Sequence, residues 1–191
     1  MDRFKLLLAQ FDNTLKQFNL SNYEKLYSPL SNKEVVYQLQ QLGVNNENLT
    51  SLFNWKNGYD PAKDAENLCQ IFDIGTLLSI EFIIEIQKMW AGIYWTNYFI
   101  PLITDSTGQY ILYNNKRGLN YGKLYLYSTS MFGDELVGYY DSIYAMINTT
   151  VEAYEQNIFT YDPVRDWLDI DYNKYHSVAK KINNNSKFWK L

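Results

Sequence analysis

Between residues 98 and 128, apolar side chains alternate in short runs broken by turn residues, and this pattern constrains the architecture most. In a β-strand, successive side chains point to opposite faces. Lys123–Tyr127 therefore puts Leu124 and Leu126 on one face and Tyr125 and Tyr127 on the other. The leucine face suits a core, and the tyrosine face tolerates water. Two more strands read at Tyr98–Ile103 and Gln109–Asn114, joined across Asp105-Ser-Thr-Gly108, a hairpin turn by composition. Pro101 has no N–H for a ladder, which favours an edge position or a bulge. Asn114–Gly122 is a loop, and Glu135–Tyr140 fits a last strand.

Helical periodicity surrounds these strands. Phe4, Leu7, Leu8, Phe11, Leu15 and Phe18 form one stripe over residues 2–18. Ser31 or Asn32 caps a second helix, with Val35, Val36, Leu39 and Leu42 inside and Gly43 as its stop. Asn46 caps a third, which ends at Trp55-Lys-Asn57-Gly58. There Gly58 supplies a left-handed stop, and the segment reads either as a binding tip or, the favoured reading, as a helix end with Trp55 docked in the core and Asn57 bonding backbone. Asp60–Asn67 reads as a surface loop, and Ile71–Ile74 as extended. Ser79 caps a helix over Ile80–Gly92 that is apolar nearly all round, which predicts burial between other elements. Asp141 or Ser142 caps another to about Asn157. From Asp162-Pro163 a tail begins whose Tyr175, Val178, Ala179 and Ile182 fit a last helix ended by Asn183–Ser186.

The resulting expectation is a single α+β domain with a mixed or antiparallel central sheet flanked by helices. Residues 1–160 form its body, with an extra N-terminal helix, and 161–191 a helical extension packed on it. Hydrophobic residues make up 47% of 191, enough to bury a full core. A net charge of −4 argues against nucleic acid as a direct partner and leans toward a basic protein. One cysteine, Cys69, excludes an internal disulfide and a Cys-rich zinc site. Leu6–Leu8 is too short for a signal-peptide core, and no run approaches the ~18 apolar residues of a membrane span. The chain is expected to be soluble and cytoplasmic, and its oligomeric state stays open. Tyrosine is frequent, at 18 residues, so its placement matters more than its number.

No catalytic constellation is recognisable. His176 is the only histidine and reads as a surface residue of the terminal helix. Asp162, Asp166, Asp169 and Asp171 lack the glycine turn and terminal Glu of an EF-hand loop and read as a solvated acidic segment. No glycine pattern joins a strand to a helix as a phosphate loop requires. No cofactor and no metal are expected.

Three stretches resemble motifs of the SUKH superfamily, the group that includes the Smi/Knr-type regulators. Leu52-Phe-Asn-Trp55-Lys-Asn57-Gly58 is similar to its helix ending in an Asn-Gly turn. Leu77-Leu-Ser79-Ile-Glu81 is similar to its entry into a central helix. Phe99-Ile-Pro101-Leu, followed by Asp105, Gly108 and Tyr110-Ile-Leu112, is similar to its strand, turn and strand. The likeness spans roughly residues 35–157. It departs in a turn poorer in glycine and in Asn114, where the family often carries an acid.

The resemblance implies a non-catalytic bacterial immunity protein that binds and neutralises a cognate toxin, frequently a nuclease. Expected anchors on the toxin are Tyr110, Tyr113, Tyr125 and Tyr127, with Asp105, Asp134 and Glu135 as steering charges. Trp55, Asn57, Gly58, Ser79, Pro101 and Gly108 are the structural motif residues. The alternatives are a regulatory scaffold in a larger assembly and a small carboxylate-dependent hydrolase using Asp105 and Asp134.

Overall fold

The computed structural model describes residues 2–18, 21–61, 70–105, 107–128 and 136–190. Four helices come first: α1 (Arg3–Gln17), the single turn α2 (Ser21–Glu24), α3 (Asn32–Gln41) and α4 (Glu47–Trp55). Strand β1 (Thr76–Leu77) and helix α5 (Ile80–Trp90) lead into β2 (Phe99–Thr104), β3 (Gln109–Asn114), β4 (Leu124–Ser128) and β5 (Val137–Tyr140). Helix α6 (Ile143–Glu155), the hairpin β6 (Phe159–Asp162) and β7 (Trp167–Ile170), helix α7 (Tyr172–Ile182) and a 3₁₀ turn at Phe188–Lys190 complete the fold. This is the expected α+β class.

The main sheet is an antiparallel meander in the order β1-β2-β3-β4-β5, and β6 and β7 form a separate antiparallel pair. The register of β2 on β3 slips between Pro101 and Ile103, the bulge that proline forces. Helix starts follow their caps. Ser31 and Glu34 form a reciprocal capping box, and Asn46, Ser79 and Ser142 each accept a backbone N–H of the first turn. Helix α1 buries Phe4, Leu7, Leu8, Phe11 and Leu15, the stripe its spacing predicts.

Several expectations need correction. Helix α5 is not enclosed: Ile80, Ile83 and Ile86 are buried, but Met89 is exposed. Val36 is exposed on α3 and Asp60 is buried, while the rest of the expected surface loop, from residue 62 on, lies outside the described residues. Residues 71–74 bend tightly instead of extending, with the N–H groups of Ile71 and Phe72 both donating to the Gly75 carbonyl at 3.0 Å. The β6–β7 hairpin, absent from the expected elements, spans residues 159–170. Leu168, Tyr175 and Trp189 belong to the same buried cluster as the sheet.

Candidate functional site

The leucine face of β4 is buried, with Leu124 and Leu126 almost inaccessible. The tyrosine face is not free. Tyr110 pairs across the strands with Tyr127, and Leu112 with Tyr125. Over the first pair lies Trp95, 5.5 Å from Tyr110 and 5.6 Å from Tyr127, and Trp90 meets Tyr110 at 5.5 Å. Tyr113 is on the leucine side and wholly buried. The expectation that Tyr110, Tyr113 and Tyr127 stand open to a partner is therefore overturned. Alternation predicts which residues share a face, but not that α5 and the turn after it cover the second face. Of the four, Tyr125 alone stays half-buried, packed on Phe99 at 5.2 Å. Asp105 is part of the hairpin turn, its carboxylate accepting from the N–H groups of Thr107 (2.8 Å) and Gln109 (3.0 Å). Asp134 and Glu135 lie outside the described residues.

Three of the motif residues, Asn57, Gly58 and Ser79, meet at one junction. The Asn57 side chain accepts from the Ile80 N–H at 3.2 Å and donates to Glu81 at 2.8 Å, and Glu81 also accepts from Gln38 at 2.8 Å. One amide thus ties the end of α4 to the start of α5, and the carboxylate it holds reaches α3. Ser79 caps the same helix start. Gly58 has φ +62°, and a Cβ there would lie 2.3 Å from the Leu78 carbonyl oxygen, so only glycine lets the strand pass. Trp55 is half-buried, donating its indole N–H to Asp12 at 2.8 Å. Pro101 makes the bulge, and Gly108 has φ +101° in the β2–β3 turn.

The most unusual chemistry lies elsewhere, around Asp73. Its carboxyl is buried, and its two oxygens accept the hydroxyls of Tyr139 (2.5 Å) and Tyr140 (2.6 Å). The Tyr140 and Tyr175 hydroxyls are 2.6 Å apart. Burial pushes the Asp73 pKa up, and the tyrosine hydrogen bonds only partly oppose it. The three phenols are pushed well above their ordinary value, by burial first and then by the neighbouring carboxyl. Asp73 borders a cavity of about 560 Å³ bounded by the 71–75 bend, the β2–β3 turn, β6–β7, α7 and the 3₁₀ turn. The sequence did carry one signal for it: a lone acid within the apolar run Gln70–Leu78, just ahead of Gly75.

The four acids of the tail are not a merely solvated segment. Arg165 bridges Asp162 (2.6 Å) and Asp169 (2.7 Å), and Asp171 caps α7. Asp166, in the left-handed region at φ 51°, turns back to accept from Ser21, Tyr161 (2.6 Å) and Lys25 (2.9 Å). These donors, Ser21 and Tyr161 foremost, hold its pKa down to about 2. His176 is half-buried, its ring 5.8 Å from Trp189. Among the described residues, no group of three or more His, Cys, Asp or Glu is placed to hold a metal ion, and no helix is long and apolar enough to cross a membrane.

Compared with known proteins, the chain matches no family model and no curated sequence.

Proposed function

We propose that this chain is a non-catalytic protein-binding module of the SUKH kind that neutralises a cognate toxin in the cytoplasm of the cell making it. The observation carrying this reading is the junction at the start of α5. Asn57, Gly58 and Ser79, which fall in two of the three motif stretches, meet there within one hydrogen-bonded knot. The acidic balance suits a basic partner. With three of the four expected tyrosines buried, exposed apolar side chains are instead offered by Met89, near the end of α5, and by Ile93 and Tyr94 in the turn after it. Ile93 is 73% exposed, and the Tyr94 ring is 6.3 Å from Tyr127.

The test is co-purification with the toxin-like product of the adjacent gene, and protection of cells expressing it. A stable complex that Ile93→Asp with Tyr94→Ala weakens at least tenfold supports both function and surface. A complex indifferent to these changes moves the surface elsewhere, and no complex with either neighbouring product sinks the reading.

One observation favours hydrolysis as a second reading: Asp73 is a buried carboxyl of raised pKa beside a cavity, as proton donors in enzymes are. Turnover of an ester, phosphoester or glycoside that disappears in Asp73→Asn would make this the better account.

A further inference from the structure

We propose that the cavity beside Asp73 binds an organic cation, an ammonium or guanidinium group on an apolar stem. The inference rests on the cavity itself and stands or falls separately from the toxin-binding reading. At about 560 Å³ the space matches what small ligands or one inserted side chain occupy. Its inner end is built from Tyr139, Tyr175 and Trp189, all buried, around the Asp73 carboxyl, which is 6% exposed. At the mouth are Trp167 and Tyr172, 46% and 66% exposed, with the carboxylates of Asp105 and Asp166.

Ring faces carry negative charge and attract cations. The carboxylates of Asp105 and Asp166 add to the same sign at the mouth, and among the described residues no lysine or arginine lines the cavity. Lys25, which does not line the cavity, pairs with Asp166 and offsets part of its charge, so Asp105 and the ring faces carry most of the field at the mouth. His176 is the one basic side chain on the wall, and its ring lies against Trp189. An anion would meet carboxylates and π faces together. A neutral apolar ligand would pack on the rings but gain nothing from the carboxylates. A cation on an apolar stem satisfies both, with its stem against the tyrosine and tryptophan rings and its head toward the acids. The phenol hydroxyls donate to Asp73 and to each other, so this cage is held in shape before any ligand arrives.

Free amines and the tip of a partner's arginine or lysine share this chemistry, and two matched pairs separate them. One is choline against its neutral isostere 3,3-dimethylbutan-1-ol. The other is a short peptide with a central arginine against the same peptide carrying citrulline. Calorimetry and tryptophan fluorescence on the full chain at pH 8 read both. The expected result is saturable binding of the charged member at least tenfold tighter than its neutral twin in one pair, and the pair that responds names the source. Trp167→Ala and Tyr172→Ala, at exposed positions and checked for an unchanged fold by circular dichroism, should each weaken it about fivefold or more. Equal binding of charged and neutral members, no saturable binding in either pair, or unaltered affinity in both variants would overturn the proposal.

Discussion

Replacing Gly75 by alanine tests how far the cavity wall depends on one close backbone approach. Gly75 has φ +64°, and a Cβ there would stand 1.8 Å from the Thr104 carbonyl oxygen and 2.5 Å from its carbon. Ordinary contact begins at 3.4 Å, so β1 and β2 must separate by about 1.6 Å. Those strands pair Thr76 with Thr104, and the Gly75 carbonyl accepts from both Ile71 and Phe72. The left-handed conformation alone costs an alanine about 1–2 kcal/mol. Loss of two of these backbone hydrogen bonds adds about 1 kcal/mol each, and more where a group is left buried and unpaired. The expected total is about 3–5 kcal/mol. Gly43 supplies the control: its φ is +66°, and nothing lies within 4 Å of the added Cβ, so Gly43→Ala should cost only the conformational ~1–2 kcal/mol. Urea unfolding followed by tryptophan fluorescence measures both. A Gly75→Ala protein that fails to fold beside a folded Gly43→Ala also meets the expectation. Two variants equal within about 0.5 kcal/mol would refute the reasoning, because crowding against Thr104 would then cost nothing.

The two unusual carboxyls should respond to pH with opposite sign. Asp166 is depressed from 3.8 to about 2, so its contribution is present above 3.8 and lost as pH falls toward 2. The full shift would be worth about 2.4 kcal/mol, but the side chain is 40% exposed, which reduces it to about 1 kcal/mol. Asp166→Asn, which keeps a residue tolerant of φ 51°, should lose that amount at pH 7 and nothing near pH 2. A loss independent of pH would refute the ion-pair account. Asp73 is raised, so its contribution is full below 3.8 and is lost as pH climbs through its folded pKa. Wild type should therefore weaken relative to Asp73→Asn as pH rises above 3.8 in urea titrations. A difference that stays flat, or grows in favour of wild type, would contradict the burial argument.

What the sequence disclosed was local. Ser31, Asn46, Ser79 and Ser142 cap where spacing put them, because a cap needs only its own next turn. The strand alternation told which residues share a face, since that follows from backbone geometry alone. What lay hidden depends on distant partners. Nothing local says that Trp90 and Trp95 roof Tyr110, or that Tyr139, Tyr140 and Tyr175 converge on Asp73. The β6–β7 hairpin was missed because Asp166, not glycine, takes the left-handed turn position, and its stabilisers Ser21 and Lys25 come from the other end of the chain. Asn57 was legible in kind, as a side chain bonding backbone, and the structure adds that the backbone is that of Ile80.

The first helix finds its mate very late. Gln10 bonds Glu155, 145 positions further on, and the Phe4 ring rests 6.2 Å from Tyr144. During translation at about 5–20 residues per second, Phe11 meets Trp55 of α4 (5.1 Å) early, but the part of that stripe facing Tyr144 waits on the order of ten seconds for its shelter. In that interval the nascent chain offers an amphipathic segment to whatever is nearby. Chaperone capture and co-translational aggregation should both begin there, and polar replacements at Phe4 or Leu8 would change solubility during synthesis as well as the stability of the finished protein.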